Sequence, residues 1–179
     1  MKTVDALIAA RDFFINDPSR WTKGALHKVV NGKNCFCALG AVSLVSGCLN
    51  GDGARVPGVA VSCTFGPIGF KEAGPAKFFT DATTINALSR KVLGDLEKYG
   101  IHLKAGAGAV KYLSAACHQL FGSTVNIVTV NDGRLWASSG AEQGYGYNGI
   151  MKAFDVAITN AKRRHITGDR KKSVKATFA

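Results

Sequence analysis

The chain has 179 residues, 46% of them hydrophobic, and carries 23 Lys or Arg against 12 Asp or Glu, a formal net charge of +11. That length and apolar fraction specify one globular domain with a real core and exclude an intrinsically disordered chain. No apolar run reaches the roughly 18 residues of a membrane span, and Asp5 interrupts the N-terminal stretch where a secretion signal needs continuous apolar sequence, so neither membrane contact nor a signal peptide is expected.

Residues 3–15 have helical spacing, with Val4, Leu7, Ile8, Phe14 and Ile15 on one stripe and Thr3 as cap. Asn16-Asp17-Pro18-Ser19 ends that helix and begins a short turn with Pro18 at its first position. Trp21 follows, expected to pack on the first helix. Residues 25–36 read as a β-hairpin, because Asn31-Gly32 is the strongest two-residue turn signal. The second strand runs into a helix over 37–47, with Cys37, Ala41, Leu44 and Cys48 on one stripe and Gly40 alongside. Ser46-Gly47 or Asn50-Gly51 stops it.

Residues 50–79 are rich in Gly and Pro but too apolar for a flexible linker, which marks an ordered, irregular insertion. A helix is expected over 82–99, with Ile85, Leu88, Val92, Leu96 and Tyr99 inward, and another over 107–121, with Val110, Leu113, Cys117 and Leu120 inward. Val125 to Val130 alternates with polar residues and suits a strand. A Gly- and Ser-rich loop covers 137–149, and a last helix runs over 148–165. The fold class that follows is α+β and mostly helical, about five helices packed with a small antiparallel sheet made of hairpin 25–36 and strand 125–130. One domain would span 1–165, with a basic tail over 166–179.

Three blocks stand out: Trp21-Thr22-Lys23-Gly24-Ala25, Cys37-Ala38-Leu39-Gly40-Ala41 and Asn131-Asp132. In this order they resemble a family of small bacterial and phage proteins of unknown function with a W-T-x-G-A, C-A-L-G-A, N-D pattern. Val130 stands where that family often has an aromatic residue, and the final helix begins later. The resemblance implies a shared scaffold and a phage or prophage origin, with the bacterial cytoplasm or the virion as location and virion proteins as partners. It implies no activity.

Chemistry has two candidate seats. Cys37, at a helix N-terminus, is the best nucleophile, since unpaired N–H groups stabilise a thiolate. His27 is its most plausible base, with Asn131 or Asp132 as orienting group. The alternative is that Ala38, Gly40 and Ala41 mark close packing and that Cys37 is structural. Asn131-Asp132 could face a cleft, or Asp132 could simply bind neighbouring N–H groups. Tyr145 and Tyr147, beside glycines, could stack on exposed bases or be ordinary loop aromatics. The five cysteines are odd in number and contain one C-x-C and no C-x-x-C pair, which fits buried free thiols in a reducing compartment. No metal and no cofactor are expected.

The second seat is the basic end. From Lys162 onward there are seven Lys or Arg and one Asp, a net of +6, more than half of the whole excess. Lys162, Arg163, Arg164, Arg170, Lys171, Lys172 and Lys175 point to a polyanion, with nucleic acid first and an acidic protein surface second. A non-enzymatic polyanion-binding or assembly protein is the expected function, and a small enzyme using Cys37 is the rival.

Overall fold

A computed structural model describes residues 1–54, 98, 100–133 and 144–177, with side chains described as far as Arg164. Among these residues the elements are α1 (Thr3–Asn16), a 3-10 turn (Pro18–Arg20), β1 (His27–Val30), β2 (Lys33–Phe36), α2 (Ala38–Val45), α3 (Leu103–Phe121), α4 (Ile127–Asp132) and α5 (Tyr147–Thr177). The fold is a mostly helical α+β arrangement with a two-stranded antiparallel sheet. The expected insertion over 50–79 lies outside the described residues from 55 onward, as do the helix expected over 82–99, save Lys98, and the expected loop over 137–149 as far as 143.

Helix α1 begins one residue earlier than Thr3 would cap it. Lys2 is the N-cap, and its backbone N–H donates to Asp5 Oδ2 at 3.1 Å. The buried stripe is Ala6, Leu7, Ala10 and Phe14, whereas Ile15 is 53% exposed. The two alanines face neighbouring helices, which leaves Ile15 on the outer side. Asp17 ends α1 and caps the Pro18 turn through Ser19 N at 3.1 Å.

The hairpin forms as its turn dictates. Asn31 and Gly32 have φ of 50° and 75°, and Val30 faces Lys33 across the turn. Its expected third strand does not exist, because residues 127–132 are helix α4. The β-branched run Ile127-Val128-Thr129-Val130 favours a strand locally. Asn126 overrides it: its side chain accepts from Thr129 N at 2.8 Å and from Thr129 Oγ1 at 3.1 Å, which starts a helix. The i, i+3 pair Ile127 and Val130 then turns into the core. The outer edge of β2 is met instead by the segment after α1. Thr22 N donates to the Phe36 carbonyl at 3.0 Å, and Arg20 Nε to the Asn34 carbonyl at 3.1 Å.

Helix α2 is closely enclosed, with Ala38, Gly40, Ala41, Val42 and Ser43 buried. Leu44, expected inward, is only half-buried. Ser46 and Gly47, the latter at φ 75°, terminate the helix. Helix α3 starts at Leu103, earlier than expected, and Leu120 is 39% exposed where it was expected inward. Gly108 lies inside α3 because a Cβ there would overlap the Thr3 side chain of α1. Helix α5 packs on α1, α3 and α4 through Ile150, Ala153, Phe154, Ala157, Ile158 and Ala161. It does not stop at 165: the helix continues to Thr177, so the expected tail is helical backbone over most of its length.

Gly40 is the tightest point among the described glycines. A Cβ there would overlap the backbone carbonyl oxygen of Leu26, which accepts from Cys37 N at 3.2 Å, and would lie 3.3 Å from Phe36 Cβ. The obstacle is backbone held by a hydrogen bond, so it cannot swing aside. Gly40→Ala should therefore destabilise the protein by on the order of 1–3 kcal/mol, and Gly40→Leu by more. A urea melt in which Gly40→Ala keeps the wild-type midpoint would show that α2 is not seated this closely.

Candidate functional site

The three sequence blocks meet at one side chain. Asn131, in α4, is 2% exposed. Its Oδ1 accepts from Trp21 Nε1 at 2.9 Å and from the Ala38 backbone N at 3.0 Å. Its Nδ2 donates to the Thr22 carbonyl at 2.9 Å and to Asp132 Oδ1 at 2.9 Å. An asparagine amide has two acceptor lone pairs and two N–H donors, so its capacity is filled. The amide orientation follows from its partners, because the indole and Ala38 N–H only donate and the carbonyl and carboxylate only accept.

Asp132 Oδ1 also accepts from Gly24 N at 3.0 Å. That carboxylate binds a neighbouring N–H group, but one distant in sequence. The Lys23 ammonium lies 5.4 Å from the Trp21 ring centroid. Trp21 itself packs edge-on to Tyr147 at 5.9 Å, at the start of α5.

Cys37 is the N-cap of α2. Its Sγ accepts from Gly40 N at 3.4 Å, and it is buried. His27 has three described neighbours. Its Nε2 pairs with Asn34 Oδ1 at 2.9 Å, its ring leans on Phe36 at 4.9 Å, and its Cγ–Nδ1 edge fills the space beside Gly53. Of the expected trio, Cys37 and Asp132 are brought to the same region through Asn131. His27 is turned toward Asn34 and Gly53. The arrangement binds chain to chain: it aligns the N-terminus of α2, the segment after α1 and the end of α4.

The tyrosines act as packing groups. Tyr147 donates its hydroxyl to the Phe14 carbonyl at 3.1 Å, and Tyr145 packs on Phe121 at 5.1 Å. Among the described residues no group of three or more His, Cys, Asp or Glu is placed to hold a metal ion, and no helix is long and apolar enough to cross a membrane.

The basic residues begin where α5 leaves the core. Ala161 is buried, and Lys162, Arg163 and Arg164 are exposed. Arg170, Lys171, Lys172 and Lys175 occupy positions on the helical continuation. Beside this point a cleft of about 330 Å³ opens between the first turn of α1, the middle of α3 and α5, lined by Lys2, Thr3, Val4, Tyr112, Ala161 and Arg164. Sequence reading singled out neither Lys2 nor Tyr112, since nothing local marks them. They become neighbours only when Thr3 settles on Gly108.

Comparison of the chain with protein-family models, with curated proteins and with solved structures finds no match.

Removing the Asn131 amide strands several groups at once. Asn131→Leu would leave Trp21 Nε1, Ala38 N and the Thr22 carbonyl without this partner, at roughly 1–3 kcal/mol for each one that stays buried. The expected result is a large drop in denaturation midpoint together with a shift in tryptophan emission. An unfolding free energy within about 0.5 kcal/mol of wild type would refute the hub.

Two thiols give a pH signature. Burial pushes both Cys48 and Cys117 from 9.0 up to about 12. Each therefore supports folding fully below pH 9, and that support is lost as pH rises from 9 toward 12, by up to about 1.4 kcal/mol per pH unit per thiol. Native protein treated with a thiol reagent at neutral pH should leave Cys48 and Cys117 unmodified, and unfolding should release both, as read by peptide mass spectrometry.

Proposed function

We propose that the protein is a non-enzymatic polyanion binder that contacts nucleic acid through the basic part of α5. The observation that carries this reading is the continuation of α5 to Thr177 across all seven C-terminal Lys and Arg residues. On a helix, Lys162 to Lys175 span about 20 Å. Arg164, Lys171 and Lys175 fall on one stripe, seven and four residues apart, and Arg163 and Arg170 on another. Charge on more than one side of a helix suits phosphates of a surrounding polyanion better than recognition of base edges. Positive charge near a helix C-terminus also suits the macrodipole, but that effect is confined to the last turn and leaves Lys162 to Arg164 without a dipole role.

The burial of Cys37 and the filling of the Asn131 amide by groups of the chain itself support a scaffold role for the three sequence blocks rather than a cysteine reaction. The resemblance to bacterial and phage proteins makes the bacterial cytoplasm or a virion the proposed place of action, with virion proteins as further partners.

The test keeps the full chain. Arg170, Lys171, Lys172 and Lys175 are replaced together by Gln, which has similar helix propensity. Binding to duplex and to single-stranded DNA is then measured over a salt series. Affinity should fall, and the slope of log K against log salt should become shallower by roughly 0.7–0.9 for each lost phosphate contact. Equal affinity and equal slope would reject the nucleic-acid reading and leave an acidic protein surface as the partner of α5.

A further inference from the structure

We propose that the cleft at the root of the basic part of α5 seats one unpaired base of single-stranded nucleic acid on Tyr112, with Lys2 and Arg164 meeting the flanking phosphates. This rests on the polyanion reading and names the form of nucleic acid. The cleft, about 330 Å³, is at the small end of ligand sites, which run from about 300 to 1,000 Å³. It accommodates one nucleotide unit and is too small for a duplex.

Its lining has the two chemistries that such a unit needs. Val4, Ala161 and the half-buried ring of Tyr112 form apolar walls. A base offers its π-face to an aromatic ring regardless of identity, and such stacking is worth about 1–3 kcal/mol. Lys2 and Arg164, brought together from opposite ends of the chain, are both exposed at the rim. The lysine is a mobile point charge, and the guanidinium is a planar fork matched to phosphate oxygens. Lys104 and Lys111 are also exposed on α3, four and three residues from Gly108, which carries the positive surface along that helix. Asp5 is the acid of the first turn of α1, and its Oδ2 accepts from the Lys2 backbone N–H. In a duplex the base faces are already stacked on neighbours, so Tyr112 selects single strands.

The experiment uses the full chain with fluorescent oligo(dT) and a mixed-sequence duplex. Tyr112→Phe keeps the ring and should bind both like wild type. Tyr112→Leu should lose about tenfold or more on oligo(dT) and stay within about twofold on duplex. Lys2→Gln with Arg164→Gln should reduce the oligo(dT) salt slope by about 0.7 for each contact. Unchanged oligo(dT) affinity in Tyr112→Leu, or equal losses on both nucleic acids, overturns the proposal. Where the leucine variant fails to fold, Tyr112→Trp decides: its added emission should be quenched by oligo(dT) and not by duplex, and unchanged emission overturns the proposal. The four-glutamine variant of α5 reports separately on the basic helix. A loss there with no Tyr112 effect defeats the cleft alone, and a wild-type chain that binds neither nucleic acid at low salt defeats both readings.

Discussion

A single buried amide governs how the parts of this protein are set against one another. Asn131 satisfies two donors and one acceptor from segments about a hundred residues away, together with the carboxylate of its neighbour Asp132. An aspartate in its place could not donate, and a hydrophobic residue could do neither. Because Ala38 N is among its partners, the first turn of α2 is aligned by α4. Because the Trp21 indole is another, the ring is oriented to meet Tyr147 edge-on. Tyr147 in turn bonds the Phe14 carbonyl at the end of α1. The entry of α5, and with it the direction in which its basic continuation begins, thus follows from one side chain two steps away.

The rest of the core depends on smallness. Alanines occupy buried positions in α1, α2, α3 and α5, and glycines sit where two backbones nearly touch, at Gly40 against Leu26 and at Gly149 against Gly144. Close backbone approach replaces large side chains as the source of dispersion contact. Among the described residues Phe14, Phe36 and Phe154 are the largest fully buried groups. Such a core tolerates little added volume, which accounts for the run of small residues after Cys37.

Local chemistry made the hairpin, the Pro18 turn, α1, α2 and most of α3 legible, because each carries a turn, cap or periodic signal within its own span. The strand expected over 125–130 is a helix from Ile127 because the Asn126 cap outweighs the apolar–polar alternation, an effect that shows only once Thr129 folds back on it. The expected stripes hold at Leu7 and Phe14 in α1 and at Cys37, Ala41 and Cys48 about α2, and depart at Ile15 and Leu44, since alanine and glycine carry little hydrophobic signal yet take the closest contacts. In the site, Asn131 and Asp132 were singled out, but the role of Asn131 lay in partners about a hundred residues away. No local pattern encodes that. The neighbours of His27 were equally hidden, because Gly53 reaches its ring only through the turn after α2. Helix α5 outran its expected end because Gly168 and a dense row of like charges both argue against helix, and the backbone nonetheless stays regular.

The spacing of the amide's partners also bears on synthesis. Ala38 lies 93 residues before Asn131, and Trp21 lies 110 before it. At about 5–20 residues per second on the ribosome, the hairpin and α2 emerge several seconds ahead of the residue that completes them. Over that interval the indole N–H and the first amide of α2 have only water or a chaperone to bind. The nascent N-terminal third is therefore the stretch of this protein most exposed to mispairing, and its final packing waits on translation of α4.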